Sequence, residues 1–294
     1  MDLNNIFFII YQGLVLGSIY GVIAIGLSLI FGITRIINLS HGALIMWGAY
    51  TAFTFFTLYN LSPLGSIFIA LVVGIGLGAA IFYVILKRLI GAHELTTLLA
   101  TFALSIFLQE LARLRYGLDY RGYNLYMGSI NMFGYGASLS ALYGGILALV
   151  LTTLLTLFLY KTRLGAAIRA VAQDPVGAYV CGIDVNKIYA IGIGLGSAFA
   201  MAGGVIATMY SPTGINPYYG EPYLLKSFVI VVLGGLGSVI GAYIGGLIFG
   251  LAETTLFPIY DYLNFHSPSS MALFTEFIIL LLLLLLRPQG LFKR

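Results

Sequence analysis

KSFVIVVLGGLGSVIGAYIGGLIFGLAETTLF, residues 226–257, is apolar almost throughout, yet as one helix it would extend ~48 Å, well beyond the ~30 Å hydrocarbon core of a bilayer. Its centre, Gly234-Gly235-Leu236-Gly237-Ser238, is a poor helix interior. The run is therefore expected to fold as a re-entrant pair or as two short broken helices, the alternative being one long, tilted helix with glycines for packing. Irregular backbone at membrane depth persists only where protein or a watery cavity satisfies its N–H and C=O groups, so the break is a candidate element of a pathway. Seven further apolar runs lie outward from it, at roughly residues 6–33, 43–59, 64–86, 95–112, 141–160, 188–210 and 271–286. An outer-membrane barrel would alternate in segments of about ten residues, and residues 277–286 show no alternation. The expected fold is all-α: a polytopic helical membrane protein of about eight spans with broken or re-entrant segments, forming one transmembrane domain over 1–294.

Composition agrees with that reading and excludes soluble classes. Of 294 residues 60% are hydrophobic and 8% charged, against about 25% charged in an ordinary soluble domain; so few charges could not solvate a soluble surface. Cys181 is the lone cysteine, so no internal disulfide is expected. The net charge of +4 comes without a basic cluster interleaved with aromatics, so nucleic acid is not an expected partner. Residues 1–5 carry only Asp2, and no lysine or arginine precedes Arg35. A cleaved signal peptide would want a basic start, so the first run is expected to stay as a span.

Basic residues concentrate in loops left on the cytoplasmic side. The 161–187 connection holds Lys161, Arg163, Arg169 and Lys187, and the tail holds Arg287, Lys293 and Arg294, so both are expected inside, with Lys87, Arg88 and Arg35 marking further inner turns. The N-terminus then lies outside. Arg113, Arg115 and Arg121 fall on the outer side of this scheme, with only snorkelling from a helix end to account for them. Three apolar runs separate 161–187 from the tail, whereas two inside ends need an even number of crossings. The parity again divides 226–257.

Phosphate-cradling chemistry is excluded first, because the chain has no Gly-Lys dipeptide. Gly74, Gly76 and Gly78, and Gly192, Gly194 and Gly196, lie inside apolar helices and are read as packing glycines, as are the four-residue series Gly13, Gly17, Gly21 and Gly237, Gly241, Gly245. His41, His93 and His266 sit in different connections, so no metal site is expected. Asn38, Ser40, His41 and Gly42 form a polar segment between two apolar runs. One reading is a broken helix whose capped N-terminus faces an anionic group; the other is a tight cytoplasmic turn with a capping residue. Glu253 is the best-placed intramembrane acid, while Glu110 and Glu276 are expected to reach water from helix ends.

The 161–187 loop has its own design. Residues 169–173 are alanine-rich, Asp174 and Pro175 form a helix start with proline at the first helical position, and Gly182 is placed to end the short helix that follows. Such a helix has too little apolar area to anchor itself in a bilayer and is read as built to dock; the alternative is an ordinary amphipathic interfacial helix.

Three stretches together carry a resemblance. Residues 13–20 (GLVLGSIY), continuing through 26–32 (GLSLIFG) to 38–42 (NLSHG), look like the N-terminal signature of the LivH-type permeases of branched-chain amino acid ABC transporters. Residues 169–175 (RAVAQDP) with 182–184 (GID) are similar to that family's ATPase-contacting loop, and 232–238 (VLGGLGS) with 241–246 (GAYIGG) and Glu253 resemble its C-terminal signature. The match runs nearly end to end; one departure is at 38–41, where a phenylalanine-alanine version is more usual.

The resemblance implies a multi-pass permease of the cytoplasmic (inner) membrane. It would work with a second homologous permease subunit, two cytoplasmic ATPase subunits and an extracytoplasmic substrate-binding protein. No cofactor is expected on this chain; ATP and Mg belong to the partner ATPases. Arg163, Gly165, Arg169, Ala170, Asp174, Pro175 and Gly182 would couple to the ATPase. Asn38, Ser40, His41, Gly42, Gly234, Gly235, Gly237, Ser238 and Glu253 would line or gate the path. A stand-alone secondary transporter or channel for small polar solutes is the alternative.

Overall fold

The computed structural model describes residues 3–125, 127–212 and 214–286; the tail basic residues Arg287, Lys293 and Arg294 lie outside that range. Among the described residues eleven α-helices follow one another: α1 (Leu3–Thr34), α2 (His41–Tyr59), α3 (Pro63–Val84), α4 (Glu94–Tyr116), α5 (Leu139–Lys161), α6 (Arg163–Gln173), α7 (Pro175–Val180), α8 (Val185–Tyr210), α9 (Glu221–Gly234), α10 (Val239–Tyr262) and α11 (Pro268–Leu286). One short hairpin, β1 (Ser129–Met132) with β2 (Tyr135–Ser138), pairs antiparallel between α4 and α5. Among the described residues six helices are long and apolar enough to cross a membrane: α1, α3 with the 3-10 turn after it, α4, α5, α8 and α10.

A helix that is apolar all round belongs in the middle of a bundle. Accordingly α1 and α8 are buried along most of their length, whereas α3, α4 and α5 bury one side and leave residues such as Phe68, Val72, Phe107, Leu149 and Leu154 outward. Glycine sets how closely α1 approaches α10. Gly13, Gly17 and Gly21 meet Gly246 and Gly250, and a Cβ on Gly17 would fall 2.7 Å from the Leu247 Cα; without Cβ atoms the backbones touch, and dispersion acts over the whole seam. Gly241 and Gly245 serve a different contact, against α9 at Gly234 and Ile230. Gly74, Gly78, Gly192, Gly194 and Gly196 also pack closely, but Gly76 faces open space.

The 226–257 run is broken where the glycines predict. It divides into the last part of α9 and most of α10, which lie antiparallel, Gly234 on Gly241 and Ile230 by Gly245. One expectation needs correcting: only α9 is short, at 14 residues or ~21 Å, while α10 is long enough to cross. Tyr260 of α10 meets Thr275 of α11 at 2.6 Å, so α11 turns back again. The four segments α8 to α11 thus run in alternating directions, an even number after the 161–187 connection.

Apart from Lys226, the described basic residues segregate to the two ends. Residues of α1, α5, α6 and the start of α10 converge at one end, near Arg35, Lys161, Arg163 and Arg169. Phe82 and Tyr189, with ring centroids 6.3 Å apart, bring the end of α3, and so Lys87 and Arg88, to the start of α8. At the other end the three unexplained arginines each have a local partner. Arg113 pairs with Glu110 at 2.8 Å, Arg115 lies over the Tyr116 ring, and Arg121 donates to the Tyr116 carbonyl at 2.9 and 3.2 Å. Cations at a helix C-terminus satisfy its free carbonyls and offset its dipole, which is a better account than snorkelling alone. Arg121 also pairs backbone to backbone with Ile215, joining the α4–α5 and α8–α9 connections.

Candidate translocation path and coupling loop

The turn between α9 and α10 is built from backbone. Gly235 (φ 92°) and Gly237 (φ 86°) occupy the left-handed region that favours glycine. Ser238 caps α10 by accepting from the Gly241 N–H at 3.0 Å, and its carbonyl accepts from the Ser28 hydroxyl at 3.2 Å. Gly237 lies directly against Gly32 of α1.

The segment before α2 is built from side chains. His41 Nε2 lies 2.9 Å from the Ile23 carbonyl, eleven residues before the end of α1. Residues 35–40 therefore run back along α1 before α2 begins. That geometry belongs to a broken helix rather than to a tight turn at the membrane surface. Thr101 of α4 serves the returning backbone, accepting from the Leu39 N–H and donating to the Ile37 carbonyl, each at 3.2 Å. Asn38 Oδ1 accepts from both the N–H (3.1 Å) and the hydroxyl (2.6 Å) of Ser40. Ser40 occupies the N-cap of α2 but makes no side-chain cap bond. Asn38, Ser40, His41 and Gly42 are buried, and the space in front of Gly42 is filled by Gly220 and Leu224.

The 161–187 loop folds as its residues direct. Thr162 accepts from the Gly165 N–H at 3.0 Å and caps α6. Asp174 accepts from Val176 at 3.0 Å and caps α7, with Pro175 in its first turn. Gly182, at φ 82°, ends α7 in a Schellman arrangement: Ile183 N–H to the Ala178 carbonyl and Gly182 N–H to the Tyr179 carbonyl. Asp184 then caps α8, where the Lys187 backbone N–H it accepts, and secondarily the Lys187 side chain, hold its carboxyl below the usual range. Arg163, Asp174, Pro175 and Gly182 are exposed, with Val176, Tyr179 and Val180 beside them, whereas Gly165 is buried and Ala170 half-buried.

Arg169 points the other way. Its guanidinium lies 5.0 Å from the Tyr160 ring centroid, and its Nη1 is buried with no partner among the described residues. It borders a cavity of about 100 Å³ whose opposite wall is Gly32, Gly237 and Ser238. The structure thus brings together two pieces that the sequence analysis had marked separately, the coupling loop and the α9–α10 turn.

The bundle interior holds a charge cluster. Lys226 Nζ donates to both oxygens of Glu253 and to the Tyr20 hydroxyl, all at 2.7 Å, and stands 4.7 Å from the Tyr20 ring centroid. Lys226 and Tyr20 line a cavity of about 660 Å³ with Asn216, Tyr219, Glu221 and Tyr223. Glu253 borders a second space of about 240 Å³ with Gln12 and Tyr210.

Over residues 9–286 the chain matches the family described as branched-chain amino acid transport system / permease component. The chain belongs to this permease family. It is 33% identical to the high-affinity branched-chain amino acid transport system permease protein BraD of Pseudomonas aeruginosa, covering 96% of this chain and 94% of that one. It is 31% identical to LivH of Escherichia coli K12, covering 97% and 94%, and 30% identical to a probable LivH of Methanocaldococcus jannaschii, covering 84% and 78%. No solved structure matches the chain significantly.

Two charged residues of this permease escaped the sequence analysis. Lys226 was read as the edge of an apolar run, although a hairpin folded at 235–238 brings the charged ends of that run, Lys226 and Glu253, toward one another. Glu276 was expected to reach water. It is instead 3% exposed, because α11 packs on both α9 and α10. Glu110 does sit at the surface, paired with Arg113.

Proposed function

We propose that this chain is the permease subunit of an ATP-driven importer of branched-chain or related amino acids in the cytoplasmic membrane, acting as one domain over 1–294. It pairs with a second homologous permease and two cytoplasmic ATPases, on which ATP and Mg are bound, and receives substrate from an extracytoplasmic binding protein. The observation that carries this reading is the family match, joined to a capped, exposed loop whose Arg169 reaches the α9–α10 turn. On this reading Arg163, Asp174, Pro175 and Gly182 present the ATPase surface, and Gly165 and Ala170 hold α6 on the bundle. Arg169 passes the displacement inward to Gly234, Gly235, Gly237 and Ser238. These, with 38–42 and Glu253, line or gate the path.

The charge cluster of Lys226, Glu253 and Glu276 is what favours the second reading, a stand-alone transporter driven by an ion gradient. Purification of the tagged protein in mild detergent separates the two. Recovery of two ATPases and a second permease is the expected result; recovery of this chain alone, with ion-driven transport in liposomes, would overturn the importer reading. Within the importer, Arg169→Glu combined with Asp174→Arg is expected to abolish ATP-coupled uptake while the protein remains inserted, and normal uptake by that variant would remove the loop from the coupling role.

A further inference from the structure

The cluster around Lys226 holds one cation and two carboxylates. Lys226 uses all three of its N–H bonds, two on Glu253 of α10 and one on the Tyr20 hydroxyl of α1. Glu276 of α11 has neither. Both its oxygens are buried without a hydrogen-bond partner among the described residues, on a helix that packs against both α9, which carries Lys226, and α10, which carries Glu253. Its neighbours Leu273 and Phe277 line the same cavity as Lys226. A buried carboxyl group without a hydrogen-bond partner is costly in either protonation state, and most costly when ionised. Transfer of the lysine to it would leave the number of paired charges unchanged, since Glu253 would take over the unpartnered role.

From this geometry we infer that Lys226 is a two-position latch, bound to Glu253 in the state described here and passed to Glu276 when the bundle changes access. The inference rests on the permease reading for the second state, while the first is the observed ion pair. An element that alternates between two packings needs states of similar free energy. Two carboxylates sharing one lysine provide that, because α9 can move between α10 and α11 without Lys226 becoming an unpaired buried cation. The short α9 suits the role. Its far end is tied to α10 through the 235–238 turn, and the 660 Å³ cavity beside Lys226 leaves room to swing.

Two measurements on the full chain test the latch. In the first, thermal unfolding is followed for the purified protein with Glu253→Gln, Glu276→Gln and the double variant. Glu253→Gln is expected to lower the midpoint modestly, because Lys226 turns to Glu276. The double variant, which strands the lysine, should lose at least about twice the sum of the single shifts. Additive shifts would overturn the proposal. In the second, uptake is measured in the reconstituted complex. Glu276→Gln should reduce the maximal rate about tenfold or more with little change in KM, and Glu276→Asp should restore part of it; wild-type rates in Glu276→Gln would also overturn the latch. Absence of ATP-driven uptake by the wild-type complex would count against the importer reading, and the unfolding cycle would still decide the latch.

Discussion

The bundle contains two interruptions, and they are built in opposite ways. The one before α2 is cross-linked by side chains: His41 to the Ile23 carbonyl, Thr101 to residues 37 and 39, and Asn38 to Ser40, with His41, Thr101, Asn38 and Ser40 all buried. The one between α9 and α10 rests on two left-handed glycines and one serine cap, and has an open cavity on the side of Arg169. A backbone turn beside empty space has fewer contacts to break than a segment tied at three points to its neighbours and braced within itself. The first interruption is therefore a fixed support and the second a hinge, on the reading proposed above.

Substitutions can break that contrast. The largest effect is expected at the fixed support. His41→Ala removes the side-chain hydrogen bond to the Ile23 carbonyl and opens a cavity in a fully buried site, costing about 2–4 kcal/mol; uptake and stability should fall together in thermal unfolding and transport assays. At the hinge, Gly237→Ala places a Cβ 3.1 Å from the Gly32 Cα and forces a non-glycine residue to φ 86°, for about 1–2 kcal/mol. Here uptake should fall much further than stability, and a parallel loss of both would make the two interruptions equivalent.

The smallest effect belongs to Asp184, which touches neither interruption and so serves as the reference. Its folded carboxyl is held below the usual range, so its contribution is complete above the unfolded pKa and disappears as pH falls through the folded one. Asp184→Asn should lower the unfolding midpoint slightly at neutral pH, with the gap from wild type closing on acidification. A gap that persists at low pH would assign the effect to something other than the carboxylate.

The helices and their ends were legible in the sequence where local chemistry decides them. The glycine break at 234–238, the Asp174-Pro175 start and the Gly182 end of α7 all follow from φ preferences and capping, which act within a few residues. The route of 35–40 was not legible. The same polar residues fit a surface turn or a broken helix, and the choice between them lies with Ile23 and Thr101, distant in the chain. Glu276 was misjudged for a related reason, and the enclosure of Arg169 was not legible either: residue type predicts a charge near a helix end to face outward, but the neighbours that enclose it come from other helices.

The sequence by itself thus determined an all-α membrane bundle, the division of residues 226–257, and a capped loop at the basic end, because hydropathy, glycine and capping are local properties. Only the tertiary structure decided that α9 alone is the short element, that Lys226 is the partner of Glu253, and that the 161–187 loop adjoins the α9–α10 turn. Those are contacts between residues 27 to more than 200 positions apart, and they exist because the glycine seams let α1, α9 and α10 close on one another.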